Sequence, residues 1–210
     1  EKLYMADTEA GQVQVYTIND TFVTNWGTQG SAEGQFDNIQ GIAVDSNYVY
    51  TVETGTDRLQ VFDHTGQFIR SWGGPGSVAG LFNNPKDVGV DRQHVYVADA
   101  DNQRIQVFDK QGNFIRSWGH ELDTQYPVDF GSVYVDEHNV YATGGYKKSP
   151  AYNVRSWLWI WDKFGNKLER FKWVDSDSKH DGIRGIVVHN PFIYLCVSSS
   201  REIRVVRRYT

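Results

Sequence analysis

The chain has 210 residues, enough for one domain with a sizeable buried core, and no apolar run in it is long enough to cross a membrane. Its single cysteine, Cys196, excludes an internal disulfide. Formal charge divides unevenly: residues 1–140 hold 8 Lys and Arg against 20 Asp and Glu, a net of −12, whereas residues 141–210 hold 13 against 6, a net of +7. This asymmetry predicts an oriented electric field rather than a uniformly charged surface.

Short runs with strand-type alternation follow one another along the chain, separated by Asp, Asn, Gln and Gly. The clearest set predicts four strands at residues 86–91, 94–98, 104–108 and 114–118. Comparable runs lie at residues 3–6, 12–16, 22–26, 132–136, 140–143, 157–161, 167–173, 185–189, 192–197 and 203–208. No window keeps the apolar spacing of an amphipathic helix, so we predict an all-β chain.

These runs repeat at a fixed interval. VFDHTGQFIRSWG at residues 61–73 and VFDKQGNFIRSWG at residues 107–119 differ at three positions, and Trp26, Trp72 and Trp118 are separated by 46 residues twice over. Four short strands in a period of this length are typical of a β-propeller blade. The sequence therefore predicts a propeller of four-stranded antiparallel blades.

The repeat also resembles a known family, the NHL repeat. The resemblance rests on the segments GQFDNIQGIAVD, VYVADADNQRIQVFD, GNFIRSWG and GGPGSVAGLFNNP. It is close in the second and third copies and looser in the others, and it extends over essentially the whole chain. It implies a β-propeller, usually with six blades, that acts as a binding platform for proteins or RNA; a minority of the family are enzymes such as peptide-amidating lyases.

We predict a single NHL-type propeller domain over the whole chain. Residues 34–73, 80–119 and 126–173 are assigned to complete second, third and fourth blades, and residues 1–27 and 182–210 to partial first and fifth blades. A six-bladed ring needs about 24 strands at four per blade. Because the first blade lacks its inner strand and the last blade its outer one, we expect an arc of a six-bladed propeller, or a propeller completed by further chain or by another subunit.

Residues that recur from blade to blade are interpreted as scaffold. Glu53 with Arg58, and Asp99 with Arg104, are predicted to form ion pairs across equivalent turns. The alternating residues Trp157, Trp159 and Trp161 are predicted to fill the space between blades. The alternative for these tryptophans is a sugar-stacking surface.

Three acidic residues, Asp45, Asp91 and Asp136, each follow an inner strand, where an aspartate suits a turn. A calcium ion held by this ring in the central channel is the alternative interpretation. The histidines His64, His94, His138 and His189 belong to different blades, too far apart to share a zinc ion.

No catalytic or cofactor motif is present. Ser198–Ser200 lack the glycine elbow of a nucleophile, and the glycine-rich residues 73–76 lack the lysine of a phosphate loop. We therefore predict no catalytic residue, no metal and no cofactor. A lyase-type or hydrolase-type propeller enzyme is kept as an alternative.

Residues unique to one blade are the candidates for function. The fourth blade carries a ten-residue insert at residues 144–153, where the second and third blades have four-residue connections, and residues 174–184 link the fourth blade to the fifth. Both segments are assigned to the same face of the propeller. The predicted partner-binding residues are Tyr146, Lys147, Lys148, Tyr152, His180 and Arg184.

Basic and aromatic residues together can form hot spots for a protein partner or can stack on nucleic-acid bases. We predict a non-enzymatic binding module that presents this loop-rich face to a protein. Binding of single-stranded RNA through the basic last third of the chain is the alternative, and a solvated loop without a partner is a further one.

Overall fold

The computed structural model describes residues 1–119, 128–146, 156–173, 183–189, 192–197 and 202–207, and every regular element among them is a β-strand. Since no helix occurs in these residues, none of them forms a helix that could span a membrane. The prediction of an all-β chain is confirmed.

The strands form five antiparallel sheets. The two three-stranded sheets consist of β1 (Lys2–Asp7), β2 (Gln12–Thr17) and β3 (Phe22–Trp26), and of β16 (Ile183–His189), β17 (Phe192–Val197) and β18 (Glu202–Arg207). The first four-stranded sheet consists of β4 (Ile39–Val44), β5 (Val49–Glu53), β6 (Arg58–Phe62) and β7 (Phe68–Gly73). The second consists of β8 (Pro85–Val90), β9 (His94–Asp99), β10 (Arg104–Asp109) and β11 (Phe114–Trp118). The third consists of β12 (Val128–Val135), β13 (Asn139–Tyr146), β14 (Ser156–Asp162) and β15 (Lys167–Trp173).

Each sheet runs up and down in chain order. The first strands of neighbouring sheets, β4, β8, β12 and β16, contact one another, so the sheets surround a common centre as propeller blades do. We call them blades one to five. Strand β1 packs beside β4 and, by the period of the sequence, corresponds to a second strand. Among the described residues, blades one and five make no comparable contact, so the five blades form an open arc.

Apolar side chains fill the space between consecutive blades. Between blades three and four, Trp159 and Trp161 are buried against Ile105 and Val107. Trp157 is 8% exposed in the same cluster. The interpretation of this tryptophan ladder as packing between blades is confirmed, and the alternative of a sugar-stacking surface is wrong.

The inner strands share one irregularity. In each of β4, β8, β12 and β16 the pairing with the second strand skips one residue, and the skipped residues are Gln40, Lys86, Gly131 and Arg184. A β-bulge of this kind leaves its extra residue outside the ladder and re-aims it. A bulge thus recurs in the inner strand of each of blades two to five.

Buried ion pairs hold the loops that lead into blades two and three. The Nε of Arg58 lies 2.6 Å from the Oε1 of Glu53, and its guanidinium also donates to the carbonyl oxygens of Ser31, Ala32 and Gln35. One blade later, the Nε of Arg104 lies 2.7 Å from the Oδ2 of Asp99, and its Nη2 donates to the carbonyls of Val78 and Leu81. Both ion pairs were predicted from their recurrence, and both are confirmed.

Candidate interaction site

The blades carry two sets of loops at their opposite ends. The first face bears the turns between second and third strands and the links between blades, such as residues 54–57, 100–103, 27–38 and 74–84. The second face bears the remaining turns, such as residues 45–48 and 110–113. This division follows from the up-and-down order of strands in each blade.

Of the predicted binding residues, the backbones of Tyr146 and Arg184 are described, and they lie at the first-face ends of β13 and β16. Strand β13 continues through Tyr146, and Gly144 and Gly145 pair with Trp157 and Ser156. The insert was predicted to begin at Gly144. That boundary is wrong, because residues 144–146 extend the ladder and the connection to β14 comprises residues 147–155.

The side chains of the six candidates lie outside the described part of the structure. Tyr146 ends β13 and Arg184 is the bulge residue of β16, and only their backbones are described. Lys147, Lys148, Tyr152 and His180 lie outside the described residues. Their role in binding stays a prediction.

The first-face loops of blades one to three are acidic. Their carboxylates are Glu9, Glu33, Asp37, Asp57 and Asp101. Residues 8–11, 27–38, 54–57, 74–84 and 100–103 contain no lysine or arginine. Glu9, Glu33 and Asp37 are exposed, so this part of the face presents negative charge to solvent. The lysines 147 and 148 belong instead to the fourth blade.

A central cleft of about 420 Å³ lies between the inner strands of blades two to five. Its lining includes the bulge residues Gln40, Lys86 and Gly131 together with Asp87 and Ser132. In β4, β8 and β16 the bulge residue is the second residue of the strand, near its first-face end, and in β12 it is the fourth of eight residues. Lys86 lines this cleft from blade three, and Gly185, which follows the bulge residue Arg184, lines it from blade five.

Asp87 links three inner strands. Its Oδ2 accepts hydrogen bonds from the hydroxyl of Ser132 at 2.7 Å and from the amide of Val133 at 3.0 Å, both in blade four. On the other side its backbone packs against Gly41 of blade two, where an added Cβ would lie 2.6 Å from the Asp87 Cα. Desolvation raises the pKa of this carboxyl to about 6, although the hydrogen bonds from Ser132, Val133 and Val88 act to lower it. The residue as a whole keeps some exposure to the cleft.

On the second face, the inner-strand turns of blades two and three are each bonded to the next blade. The Nζ of Lys110 in blade three donates to the Oδ2 of Asp45 in blade two at 2.8 Å, and the hydroxyl of Tyr50 donates to the same oxygen. Asp45 also accepts the amides of its own turn, as predicted.

The arrangement recurs one blade later. Lys163 lies 2.7 Å from the Oδ2 of Asp91, which also accepts from Tyr96. Sequence reasoning missed both lysine contacts, although Lys110 and Lys163 hold the same position after the third strand of their blades. Because each of these two carboxylates is paired with a lysine, the alternative of a calcium ion held by the aspartate ring does not fit Asp45 and Asp91.

Comparisons with known proteins agree with this architecture. The sequence model of the NHL repeat matches residues 82–108, which contain β8, β9 and all but the last residue of β10 in blade three. The chain carries an NHL repeat in a β-propeller fold. A chain in the crystal structure of a nidogen/laminin complex is similar in fold, with a TM-score of 0.68 and 12% identity; the match covers 98% of this chain and 73% of that one. No curated protein matches the NHL-repeat chain in sequence.

Proposed function

We propose that this NHL-repeat propeller is a non-enzymatic binding module whose first face docks a protein partner. What supports the proposal is a contrast in charge between the described first-face loops of blades one to three and the sequence of the connection in blade four. The described loops of blades one to three supply carboxylates and no lysine or arginine. Lys147 and Lys148 in blade four, beside Tyr146 and Tyr152, supply the opposite charge on a connection longer than its equivalents.

A face of this kind suits a protein better than a nucleic acid. A uniformly basic surface is the usual footprint of nucleic-acid binding, because each neutralised phosphate releases counterions. Here an RNA strand bound along the first face would meet the exposed carboxylates of Glu33 and Asp37. Charged groups of both signs instead favour a partner with a complementary arrangement, which sets orientation and association rate.

The long connection is compatible with a recognition role because the scaffold does not need it. Blades two and three make the same connection with residues 54–57 and 100–103. The free energy of closing a loop grows only with the logarithm of its length, so the nine residues 147–155 cost little. A change in this connection can therefore alter binding without altering folding.

The test replaces residues 147–155 by the four-residue turn of blade three, residues 100–103. The melting temperature should change little, while retention of partner proteins on the immobilised propeller should be lost. The double substitution Lys147→Glu and Lys148→Glu should act in the same direction. The matched control is Lys167→Glu, which reverses an exposed charge on the outer strand β15.

Retention of the same partners by the shortened chain at an unchanged melting temperature would place the site elsewhere. The RNA alternative rests on the net charge of +7 in residues 141–210. Filter binding of a single-stranded homopolymer at two salt concentrations separates it, since binding through phosphates weakens steeply with salt.

A further inference from the structure

A groove of about 830 Å³ opens on the second face between blades three and four. Its walls are the turns at residues 91–94, 136–138 and 162–164, and Val90 and Val135 contribute apolar lining. A volume of this size is within the usual range for small ligands and short peptide segments. The groove lies at the opposite end of the blades from the face proposed to dock a partner.

Three carboxylates in the groove are occupied by internal hydrogen bonds. Asp91 accepts from Lys163, Tyr96 and two turn amides. The other two carboxylates accept hydrogen bonds mainly from their own turns. Asp136 accepts from two backbone amides and from the hydroxyl of Tyr141. Asp162 accepts from the backbone amides of Phe164 and Asn166 and from the side-chain amide of Asn166. These groups have little capacity left for a ligand.

Arg116 differs from its equivalent one blade earlier. In blade two, the Nη1 of Arg70 donates to the carbonyl of Lys110 at 2.7 Å, and the guanidinium lies 5.5 Å from the ring centroid of Tyr48. Arg116 occupies the same position in blade three, but its guanidinium lies over Phe164 and makes no hydrogen bond or ion pair with any described residue. Its donors are therefore available.

Phe164 and Glu137 also line the groove, and neither is enclosed by the protein. The side chain of Phe164 is 74% exposed, so an apolar surface stands beside the free guanidinium. Glu137 is exposed and makes no hydrogen bond or ion pair with a described residue, which leaves it as the uncommitted carboxylate of the groove. An arginine beside an aromatic ring is typical of hot spots in protein interfaces.

We propose that this groove binds an acidic peptide, with a Glu or Asp carboxylate paired to Arg116 and a neighbouring apolar side chain packed on Phe164. A carboxylate matches the planar fork of the guanidinium and can accept two hydrogen bonds at once. The carboxylate of Glu137, which is not paired with any described residue, repels an acidic ligand electrostatically. The site is independent of the first face, so charge reversal at Lys147 and Lys148 leaves it intact.

The test uses a fluorescein-labelled hexapeptide of alternating leucine and glutamate, and a matched peptide with glutamine in place of glutamate. Fluorescence anisotropy should show binding of the glutamate peptide at least about ten-fold tighter than the glutamine peptide. Arg116→Gln should weaken binding by a similar factor, and Glu137→Gln should strengthen it. Arg70→Gln is the matched control and should leave the affinity unchanged.

A second measurement does not depend on affinity. An NMR spectrum of the arginine side-chain Nε–Hε groups is recorded for the wild type and for Arg116→Gln, and the signal that the variant lacks is assigned to Arg116. Addition of the glutamate peptide to the wild type should shift the Arg116 signal more than the Arg70 signal. The proposal is wrong if the two peptides bind equally, if Arg70→Gln and Arg116→Gln weaken binding alike, or if inorganic phosphate shifts the Arg116 signal and the glutamate peptide does not.

Discussion

Gly112 of blade three lies directly against the indole ring of Trp72 of blade two. A Cβ built on Gly112 would lie 2.7 Å from the Cε3 of Trp72, so no side chain fits there. The same relationship joins Gly66 to Trp26 and Gly165 to Trp118. The tryptophan that marks the repeat in the sequence is thus one half of a contact whose other half is a turn glycine of the next blade.

Substitution of Gly112 by alanine should destabilise the protein for two reasons. The φ of +93 strains any residue with a Cβ, which costs about 1–2 kcal/mol, and the contact with Trp72 adds about 1–3 kcal/mol for overpacking. Gly80→Ala is the matched control, because Gly80 has a φ of +87 and nothing within 4 Å of the added Cβ. Urea denaturation measures both, and equal losses would show that the ring contact contributes nothing.

Removal of the tryptophan should be costly where the ring is enclosed. Trp118 is 4% exposed, and its replacement by alanine should lower the free energy of unfolding by about 3–5 kcal/mol. Trp72 is only partly buried, so Trp72→Ala should cost less. Unfolding followed by far-ultraviolet circular dichroism compares the two. A larger loss for Trp72→Ala would contradict this ranking.

The fold was predictable because the chain repeats itself. The spacing of Trp26, Trp72 and Trp118 and the alternation in each copy indicate successive four-stranded blades, and the strands occur where the pattern predicts them. The pairs Glu53 with Arg58 and Asp99 with Arg104 were also predictable, since each pair spans a single turn.

Contacts between side chains of different blades could not be predicted from the sequence as readily as the fold. Asp45 was recognised as a turn residue, but its lysine partner, Lys110, is 65 positions away and no local pattern connects them. Arg70 and Arg116 lie in identical sequence segments, FIRSWG, and still have different environments. Arg70 contacts Tyr48 and the carbonyl of Lys110, whereas Arg116 lies over the ring of Phe164. The first-face site stays a prediction because its candidate side chains are outside the described residues.

Replacement of Arg104 by glutamine should test the buried ion pairs. Gln12 holds the equivalent position in blade one, so the strand accepts glutamine there. In blade three the substitution leaves Asp99, which is fully buried, without its cation, at a cost of about 3–5 kcal/mol. The double variant Asp99→Asn with Arg104→Gln should recover part of the loss. If the double variant is as unstable as the sum of the single variants, the charge is not the cause.

The pairing of Asp91 with Lys163 should protect the protein against acid. Burial acts to raise the pKa of Asp91, but the hydrogen bonds from Lys163 and the turn amides outweigh it and lower that pKa to about 2. A depressed pKa contributes stability above the ordinary value of 3.8 that is lost as pH falls toward 2. Lys163→Gln should therefore cost about 1–2 kcal/mol at neutral pH, discounted for partial exposure, and little near pH 2. A loss that does not depend on pH would indicate a packing effect instead.

Asp87 should have the opposite pH dependence. Its pKa is raised from 3.8 to about 6, so its contribution to stability is fully present below pH 3.8 and is lost as pH rises through 6. The charged form costs at most about 3 kcal/mol at neutral pH, and less to the extent that the cleft admits water. Asp87→Asn removes the charge and keeps an acceptor for Ser132 and Val133. The variant should match the wild-type free energy of unfolding near pH 4 and exceed it by about 1–3 kcal/mol near pH 7.5.

A second variant locates the origin of this effect. Ser132→Ala removes the 2.7 Å hydrogen bond that favours the charged form, so the pKa of Asp87 should rise further and the loss of stability should move to higher pH. Chemical denaturation at a series of pH values measures the difference between each variant and the wild type. A difference between Asp87→Asn and wild type that is constant from pH 4 to pH 7.5 would mean that Asp87 does not titrate in this range, and its role would then be limited to linking the inner strands of blades three and four.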